Sequence, residues 1–389
     1  MYAGRIVFAQ LMDFLPRFEF NACVTRYRGN RRVRRFSCFD QFLCMAFAQL
    51  TSRESLRDIE TCLRAMGPKL YHAGFRGRMA RNTLAKANET RDARIYADTA
   101  QCVIRYAQRL YANDSFGVEL DHAAYVLDST LIRLCLSLFP WARYRKRTGA
   151  IKLHTLMSLR GSIPYVIRVT HGKASDASML DTLPVEPGAF YIMDRGYVDF
   201  GRLYRLNENG AFFVIRAKRN FKHARRAYRR VDKSTGLRSD QIVVLKDPYT
   251  LRKYPAPLRR ITYIDAQTQQ RFVFLTNHFA LLPLIIAELY HARWQVEVFF
   301  KWIKQHLRIK AFFGTSFNAV TTQLWIAITV YVLVSIVKKE LKIDRHLSEI
   351  LQILSITLFE KVDMRQVLTQ TALQIPKTRF PNQLQLFDF

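Results

Sequence analysis

Two short apolar runs, each followed directly by an aspartate, limit what this chain can fold into more than any other feature. The first run is residues 125–127 before Asp128, and the second is residues 191–193 before Asp194. Short uncharged runs of this kind are typical of strands buried inside a sheet. If the two strands are neighbours, both carboxylates project from the sheet edge into one crevice and can share a metal ion. Taken singly, either aspartate is equally consistent with a strand-end turn or a helix cap.

The pattern around these runs predicts an α/β chain with a mixed sheet flanked by helices. Residues 1 to about 115 are mostly helical in pattern, and two strand-like runs on either side of Gly161-Ser162 predict a hairpin. Residues 217–283 are polar and basic with short strand-like pieces, which predicts a β-rich insertion. Lys152 and His154, on the hairpin, are further candidates for the crevice, although a hydrogen-bonded core position is the favoured alternative for His154.

A spaced set of polar residues occupies the segment YHARWQVEVFFKWIK. Its members are Tyr290, Arg293, Glu297 and Lys304. Their offsets of 3, 7 and 14 put them within roughly 60° of one another on one continuous helix, and Lys301 and Arg308 fall near the same line. A carboxylate flanked by cations can hold a divalent metal while its neighbours hold phosphates. The alternative is a solvated helix face with an ordinary Glu297–Lys301 ion pair.

The charge of the chain predicts a polyanionic partner. Lys and Arg number 61 against 31 Asp and Glu, for a formal net charge of +30. A solubilising surface would mix both signs, so nucleic acid is the expected partner. One cluster contains Arg31, Arg32, Arg34 and Arg35, which we expect to bind phosphates without reading sequence. A disordered basic turn is the alternative for that cluster.

Three carboxylates in so basic a chain also predict bound metal. The side chains of Asp128, Asp194 and Glu297 repel one another at close range unless cations lie between them. Two Mg²⁺ ions about 4 Å apart meet that requirement and can activate both the attacking and the leaving oxygen. We expect Mn²⁺ to substitute for Mg²⁺.

One apolar segment resembles a membrane span. Residues 324–337 are nearly all apolar, but this run of 14 residues is shorter than the roughly 20 that a bilayer requires. We therefore expect a helix buried behind the sheet and no membrane association.

At the residues named above, the chain resembles insertion-sequence transposases of the DDE class, in the bacterial "insertion sequence four" group defined by its Y-R-E-K signature. The first motif is Asp128-Ser129-Thr130, and the second is residues 194–197, Asp-Arg-Gly-Tyr. The third is the Y-R-E-K set, with every spacing intact. The resemblance extends over most of residues 121–340.

The resemblance implies a ribonuclease-H-like mixed sheet, interrupted by a β-rich insertion before the glutamate. The helical pattern of the basic N-terminal region separately predicts DNA binding there, resembling a helix-turn-helix. The expected parts are a helical N-terminal DNA-binding domain (1–118), the first part of the catalytic domain (119–216), the insertion (217–283), the second part of the catalytic domain (284–345), and a C-terminal helical segment with a tail (346–389). The resemblance also implies Asp128, Asp194 and Glu297 as catalytic metal ligands. By the same resemblance, Tyr290, Arg293 and Lys304 would contact phosphates of double-stranded DNA at the transposon end. From their positions in the sequence we expect Lys301, Arg308 and Arg195 to bind DNA as well.

The activity implied is phosphodiester hydrolysis at transposon ends, followed by transfer of the freed 3′-hydroxyl to target DNA. We expect a homodimer in a synaptic complex, located in the bacterial cytoplasm at the nucleoid. One alternative is a ribonuclease-H-like nuclease without strand transfer. Another is a non-catalytic DNA-binding regulator derived from a transposase.

The C-terminal tail carries a further short motif. A glutamine followed by spaced leucines and a Leu-Phe pair resembles the pentapeptide by which bacterial proteins dock into the replication sliding clamp. The residues concerned are Gln383, Leu384, Leu386 and Phe387. A tail folded back onto its own core is an equally strong alternative.

Overall fold

The computed structural model describes residues 4–76, 79–306 and 312–369. Within these ranges, seven helices precede the first strand: α1 (Val7–Met12), α2 (Arg17–Arg26), α3 (Cys38–Leu50), α4 (Leu56–Ala65), α5 (Lys69–His72), α6 (Arg81–Thr90) and α7 (Arg94–Tyr111). The sequence fixes several of these starts locally. Ser37 and Asp40 form a reciprocal capping box at α3, and Ser55 caps α4.

In the part of the chain that the structure describes, the sheet has ten strands and is mostly antiparallel. Its first six strands are β1 (Ala124–Leu134), β2 (Arg143–Arg145), β3 (Thr148–Ser158), β4 (Pro164–His171), β5 (Phe190–Met193) and β6 (Phe212–Arg216). Strand β5 lies between β1 and β6 and is parallel to both, while β3 pairs antiparallel with β1, β2 and β4. The β3–β4 turn needs left-handed backbone at Gly161 and Ser162, where φ is 68° and 54°.

The segment predicted as an insertion continues this same sheet. It forms β7 (His223–Arg229), β8 (Leu237–Leu245), α9 (Pro248–Lys253), β9 (Leu258–Ile264) and β10 (Arg271–Thr276), after α8 (Phe200–Glu208). Strand β10 pairs antiparallel with β6, and the order then runs β10-β9-β8-β7. The segment predicted to be β-rich therefore contains four strands in its described residues. These strands extend the central sheet through the pairing of β10 with β6.

The Y-R-E-K set does not lie on one continuous helix, which corrects the geometry expected from the sequence. Helix α10 (Pro283–His291) ends before Arg293, and α11 (Trp294–His306) begins after it. At the junction the Arg293 amide bonds to the Tyr290 carbonyl three residues back, 3.2 Å away. Such tight i to i+3 bonding shifts the phase between the two helices. Tyr290 therefore lies on a different helix from Glu297.

The apolar segment forms α12 (Phe317–Glu340), which is buried inside the protein. It is long and apolar enough to cross a membrane, but 94 % of its most apolar 18-residue window is buried. Its main neighbours are α7, α3 and α6, whereas the sequence had suggested that it would lie behind the sheet. Buried residues of α12, of the N-terminal helices and of the sheet belong to one hydrophobic core. Helix α12 therefore connects the helical region with the sheet.

The last described helices, α13 (Leu347–Thr357) and α14 (Met364–Thr369), return to the N-terminus of the chain. The amides of Val7 and Phe8 bond to the carbonyls of Glu360 and Leu358. The Gln10 side chain bonds to the Val362 carbonyl at 2.7 Å and to the Met364 amide at 3.0 Å. The two ends of the described chain therefore fold as one unit.

Candidate active site

The two aspartates that follow apolar runs lie next to each other in the sheet. Strands β1 and β5 are parallel, with Leu127 paired to Met193, so Asp128 and Asp194 occupy neighbouring positions one residue later. Asp128 does not end its strand, because β1 continues to Leu134 along β3. Alternation along β1 points Asp128 to the face covered by α10 and α11.

Two residues of the Y-R-E-K set connect the three acids. The Arg293 guanidinium donates to Asp128 Oδ2 at 2.7 Å and to Glu297 Oε1 at 2.6 Å. The Tyr290 hydroxyl donates to Asp194 Oδ1 at 3.2 Å. Arg293 thus joins Asp128 to Glu297, and Tyr290 bonds to Asp194, through side chains that were predicted to contact phosphates. Only 18 % of the Arg293 side chain is exposed, against 58 % of Glu297.

The electrostatic environment of Asp128 disfavours its charged form. Burial raises the pKa of the Asp128 carboxyl from 3.8 to about 6, and the nearby charges of Glu297 and Asp194 act in the same direction. The Arg293 cation and the Ser129 amide, which bonds to Asp128 Oδ1 at 2.7 Å, oppose the increase without cancelling it. The positive charge of Arg293 therefore does not fully offset the burial of Asp128 and the negative charges near it.

A cavity of about 540 Å³ opens beside Asp128 and Glu297. Asp128 and Glu297 line it together with Lys301 and Lys304, so carboxylates and cations face the same space. Thr130 and Phe300 complete part of the wall. Asp194 is not part of that lining, although its link to Tyr290 places it close by.

The three acids fit a divalent cation in donor chemistry but not yet in spacing. Hard carboxylate oxygens are the ligands that Mg²⁺ prefers, and Asp128 is poorly compensated by protein charge alone. Among residues 4–76, 79–306 and 312–369, however, no three His, Cys, Asp or Glu side chains lie close enough to hold one ion. The Arg293 guanidinium bonds to two of the three acids in this arrangement.

The other predicted DNA contacts are distributed around this site. Arg195, directly after Asp194, is exposed, and Lys301 is exposed on α11. Arg308 lies outside the described residues, as do the four residues of the predicted clamp motif, Gln383, Leu384, Leu386 and Phe387.

Sequence reasoning missed Asp176, which anchors a buried polar group behind Asp128. The Ser129 hydroxyl bonds to Asp176 Oδ1 at 2.5 Å, and Lys152 Nζ lies 3.1 Å from the same oxygen. Ser129 points to the opposite face of β1 from Asp128, so Lys152 and His154 support the strand from behind and do not line the crevice. His154 bonds to Thr170 at 3.0 Å, as expected for a core histidine. A lone aspartate in an Ala-Ser stretch gives no sequence signal for this role.

Three residues of the predicted N-terminal arginine cluster, Arg31, Arg34 and Arg35, line one wall of a separate cleft of about 820 Å³. Arg31, Arg32, Arg34 and Arg35 are all exposed, and none has an acidic partner within the described residues. The other wall of the cleft is α6.

Two family models match the chain. Residues 119–333 match the model described as "Transposase DDE domain". Residues 3–76 match "Domain of unknown function (DUF4372)".

Three similar proteins are described as transposases. A putative transposase, y4zB, of Sinorhizobium fredii is 31 % identical over 291 residues, covering 73 % of this chain and 79 % of that protein. The probable transposase of insertion sequence element IS5377 from Geobacillus stearothermophilus is 33 % identical over 212 residues, or 54 % of this chain and 55 % of that protein. The putative transposase of element IS4SA from Synechocystis is 22 % identical over 307 residues, or 75 % and 82 %.

Among solved structures, a chain of a piggyBac transposase synaptic complex with hairpin DNA covers 94 % of this chain and 82 % of its own length. Its sequence identity is 11 % and its TM-score 0.47, too low to establish a shared fold.

Proposed function

This chain belongs to the transposase DDE domain family, and on that basis we propose that it cuts DNA at the ends of a mobile element and transfers the freed 3′-hydroxyl to target DNA. We place it in the "insertion sequence four" group because the spacing of its Y-R-E-K set is intact. By the same proposal the sheet is a ribonuclease-H-like core interrupted by β7 to β10.

The observation that carries this proposal is the placement of the acids. Asp128 and Asp194 follow directly paired residues of parallel neighbours, and Arg293 joins Asp128 to Glu297. A buried carboxylate close to two further acids is ionised more readily when a further cation binds beside it. A structural ion pair alone would not need a third carboxylate or an open cavity.

We assign the three acids as ligands of two Mg²⁺ ions, for which Mn²⁺ substitutes. When bound, such ions lower the pKa of the attacking hydroxyl and stabilise charge on the leaving oxygen. The protein's own contribution is to fix Asp128 by the Ser129 amide and to place Phe300 of α11 as an apolar group in the cavity wall.

Arg293 has two roles in this proposal. In the absence of DNA and metal it bonds to Asp128 and Glu297, and on assembly it exchanges these carboxylates for a DNA phosphate. A guanidinium suits both partners because it binds carboxylate and phosphate with the same planar geometry. Lys301 and Lys304, which line the cavity, then hold further phosphates, with Tyr290, Arg195 and Arg308 as additional contacts.

The test is Asp194→Asn, with Asp199→Asn as its matched control. Asp199 is five residues away, caps α8 and pairs with Arg202 outside the acid site. We expect Asp194→Asn to abolish cleavage of element-end DNA while binding persists, and Asp199→Asn to retain cleavage. Cleavage at the wild-type rate by Asp194→Asn would refute the assignment of the acids.

A second assay separates transposition from the two rival functions. Pre-cleaved ends supplied with a target plasmid should give joined products that depend on Mg²⁺. A nuclease without strand transfer would cut uncleaved ends but join nothing, and a non-catalytic regulator would bind ends and do neither.

The partners follow from the same proposal. The N-terminal arginine cluster holds phosphates of duplex DNA, and two copies of the chain pair the element ends at the bacterial nucleoid. We also propose that the tail binds the replication sliding clamp through Gln383, Leu384, Leu386 and Phe387. Clamp pull-down by the full chain should disappear in the double variant Leu386→Ala with Phe387→Ala, and unchanged pull-down would exclude this partner.

A further inference from the structure

The cleft in the helical region has two chemically different walls. One wall is the loop between α2 and α3, which presents Arg28, Arg31, Arg34 and Arg35. The other is α6, which presents Asn82, Thr83 and Lys86. Only the arginine wall stood out in the sequence, because a basic run is visible without a structure.

The arginine wall is a preformed charged surface. All four guanidinium-bearing side chains are exposed, and the described ranges contain no acid paired with any of them. Nearby charges are already neutralised, since Arg26 pairs with Asp98 at 2.7 Å. An uncompensated cluster of this kind attracts a polyanion.

The loop that carries these arginines is held in place. The Cys38 amide bonds to the Asn30 side chain at 2.8 Å, and the Arg91 guanidinium bonds to the Ser37 carbonyl at 2.8 Å. Gly29 packs so closely that an added Cβ would lie 2.4 Å from Ile95. The arginines therefore project from a fixed backbone, so little ordering cost is left for binding.

Helix α6 is also firmly anchored on one side and unengaged on the other. Leu84, Ala87 and Asn88 are buried, and Asn88 bonds to Gln41 at 2.8 Å. The opposite face carries Asn82, Thr83 and Lys86, all exposed and with no side-chain hydrogen bond to the rest of the described chain. Amide, hydroxyl and ammonium groups are the types that hydrogen-bond to base edges in a DNA groove.

The neighbouring helix α4 differs in that most of its charged side chains are paired. Arg64 pairs with Glu60 at 2.8 Å and Asp58 with Arg53 at 3.4 Å, while Arg57 is exposed. Among the residues that the structure describes, α6 lines the cleft and α4 does not.

We propose that α6 is the sequence-reading helix of the chain. It enters the major groove of duplex DNA and contacts base edges through Asn82, Thr83 and Lys86, while the arginine loop binds phosphates of the adjacent backbone strand. This inference rests on the proposed function, which requires recognition of a particular end sequence. In this proposal the arginine wall, inside the matched domain of unknown function, supplies affinity for DNA, and α6, just after that domain, supplies sequence specificity.

The test uses the full chain and a pool of random-sequence duplexes, from which the wild type should enrich a motif. Affinities are then measured for that duplex and a scrambled one over a range of salt concentrations. In Asn82→Ala with Thr83→Val, the ratio of the two affinities should fall about tenfold or more, because base contacts are lost. Thr61→Ala, an exposed threonine on α4, is the matched control and should keep the ratio.

The arginine wall gives the complementary result. Arg31→Ala with Arg34→Ala should weaken binding to both duplexes alike and reduce the slope of log affinity against log salt by about 2, since each lost phosphate contact contributes roughly 0.9. Thermal unfolding confirms that each variant is folded.

The inference is overturned if the α6 double variant enriches the same motif with an unchanged affinity ratio, or if the wild type enriches no motif. Joining of pre-cleaved ends is measured in parallel. If joining persists in either case, the transposase proposal stands and only the role of α6 is wrong.

Discussion

Replacing Asp128 by asparagine is expected to stabilise the metal-free protein near neutral pH, although it removes a proposed catalytic residue. Burial raises the pKa of this carboxyl from 3.8 to about 6, so ionising it costs more in the folded than in the unfolded chain. Asparagine has nearly the shape of the protonated acid and carries no charge. The substitution therefore removes a penalty that the wild-type protein bears above the folded pKa.

The direction of the pH dependence follows from the raised pKa. The favourable contribution of protonated Asp128 is complete below 3.8 and is lost as the pH rises through about 6. A difference of about 2 units corresponds to about 3 kcal/mol at full ionisation. Asp128→Asn should thus match the wild type near pH 4 and exceed its free energy of unfolding by about 2 to 3 kcal/mol near pH 8.

The assay is urea unfolding across that pH range in the presence of a chelator. Asp181→Asn is the control, because bonds from Arg202 and Arg205 lower the pKa of Asp181 to about 2, in the opposite direction. Its effect on stability should not vary between about pH 4 and pH 8. A wild-type protein more stable than Asp128→Asn near pH 8, or a difference independent of pH, would refute the electrostatic argument.

Three further outcomes test other parts of the structure. Arg293→Met should raise the pKa of Asp128 further, because the Arg293 charge opposes the increase. In the Arg293→Met background, the stability gained by adding Asp128→Asn should therefore level off at a higher pH than in the wild type. Gly161→Ala should cost about 3 kcal/mol in urea unfolding, since the new Cβ would lie 2.2 Å from an aromatic ring of α7, whereas Gly117→Ala, also at positive φ but in open space, should cost about 1 kcal/mol. Asn318→Ala should cost about 2 kcal/mol by leaving backbone carbonyls at the end of α6 without donors, and Asn318→Asp, which keeps only the acceptor, should cost a similar amount in thermal unfolding.

The sequence predicted the two buried strands because short uncharged apolar runs, such as residues 125–127 and 191–193, are typical of strands inside a sheet. It could not show that Asp128 lies within a longer strand, since that depends on pairing with β3 far along the chain. The parallel register of Leu127 with Met193 is likewise a tertiary property.

The helix around Glu297 shows a different limit. Spacing alone predicted that Tyr290, Arg293 and Glu297 share one helical face, but the i to i+3 bond at Arg293 divides the segment into two helices. Packing of α10 and α11 against the sheet nevertheless brings Arg293 to Asp128 and Glu297, and Tyr290 to Asp194. The helical pattern therefore predicted that Arg293 lies near Glu297, which is correct, but it predicted one continuous helix where there are two. Asp176 carried no pattern at all, since its role depends on a loop folding beside β1 and β3.

The bond network of Asn318 at the start of α12 limits how the helical region can be exchanged. Its side chain bonds to the carbonyls of Asn88 and Arg91 and to the amide of Ala93, which joins α6 and α7 to the longest helix among the described residues. A helical region taken from another protein would keep these three bonds only where its own backbone presents the same two carbonyls and amide to Asn318. Single exposed side chains of α6, by contrast, can change without disturbing this contact.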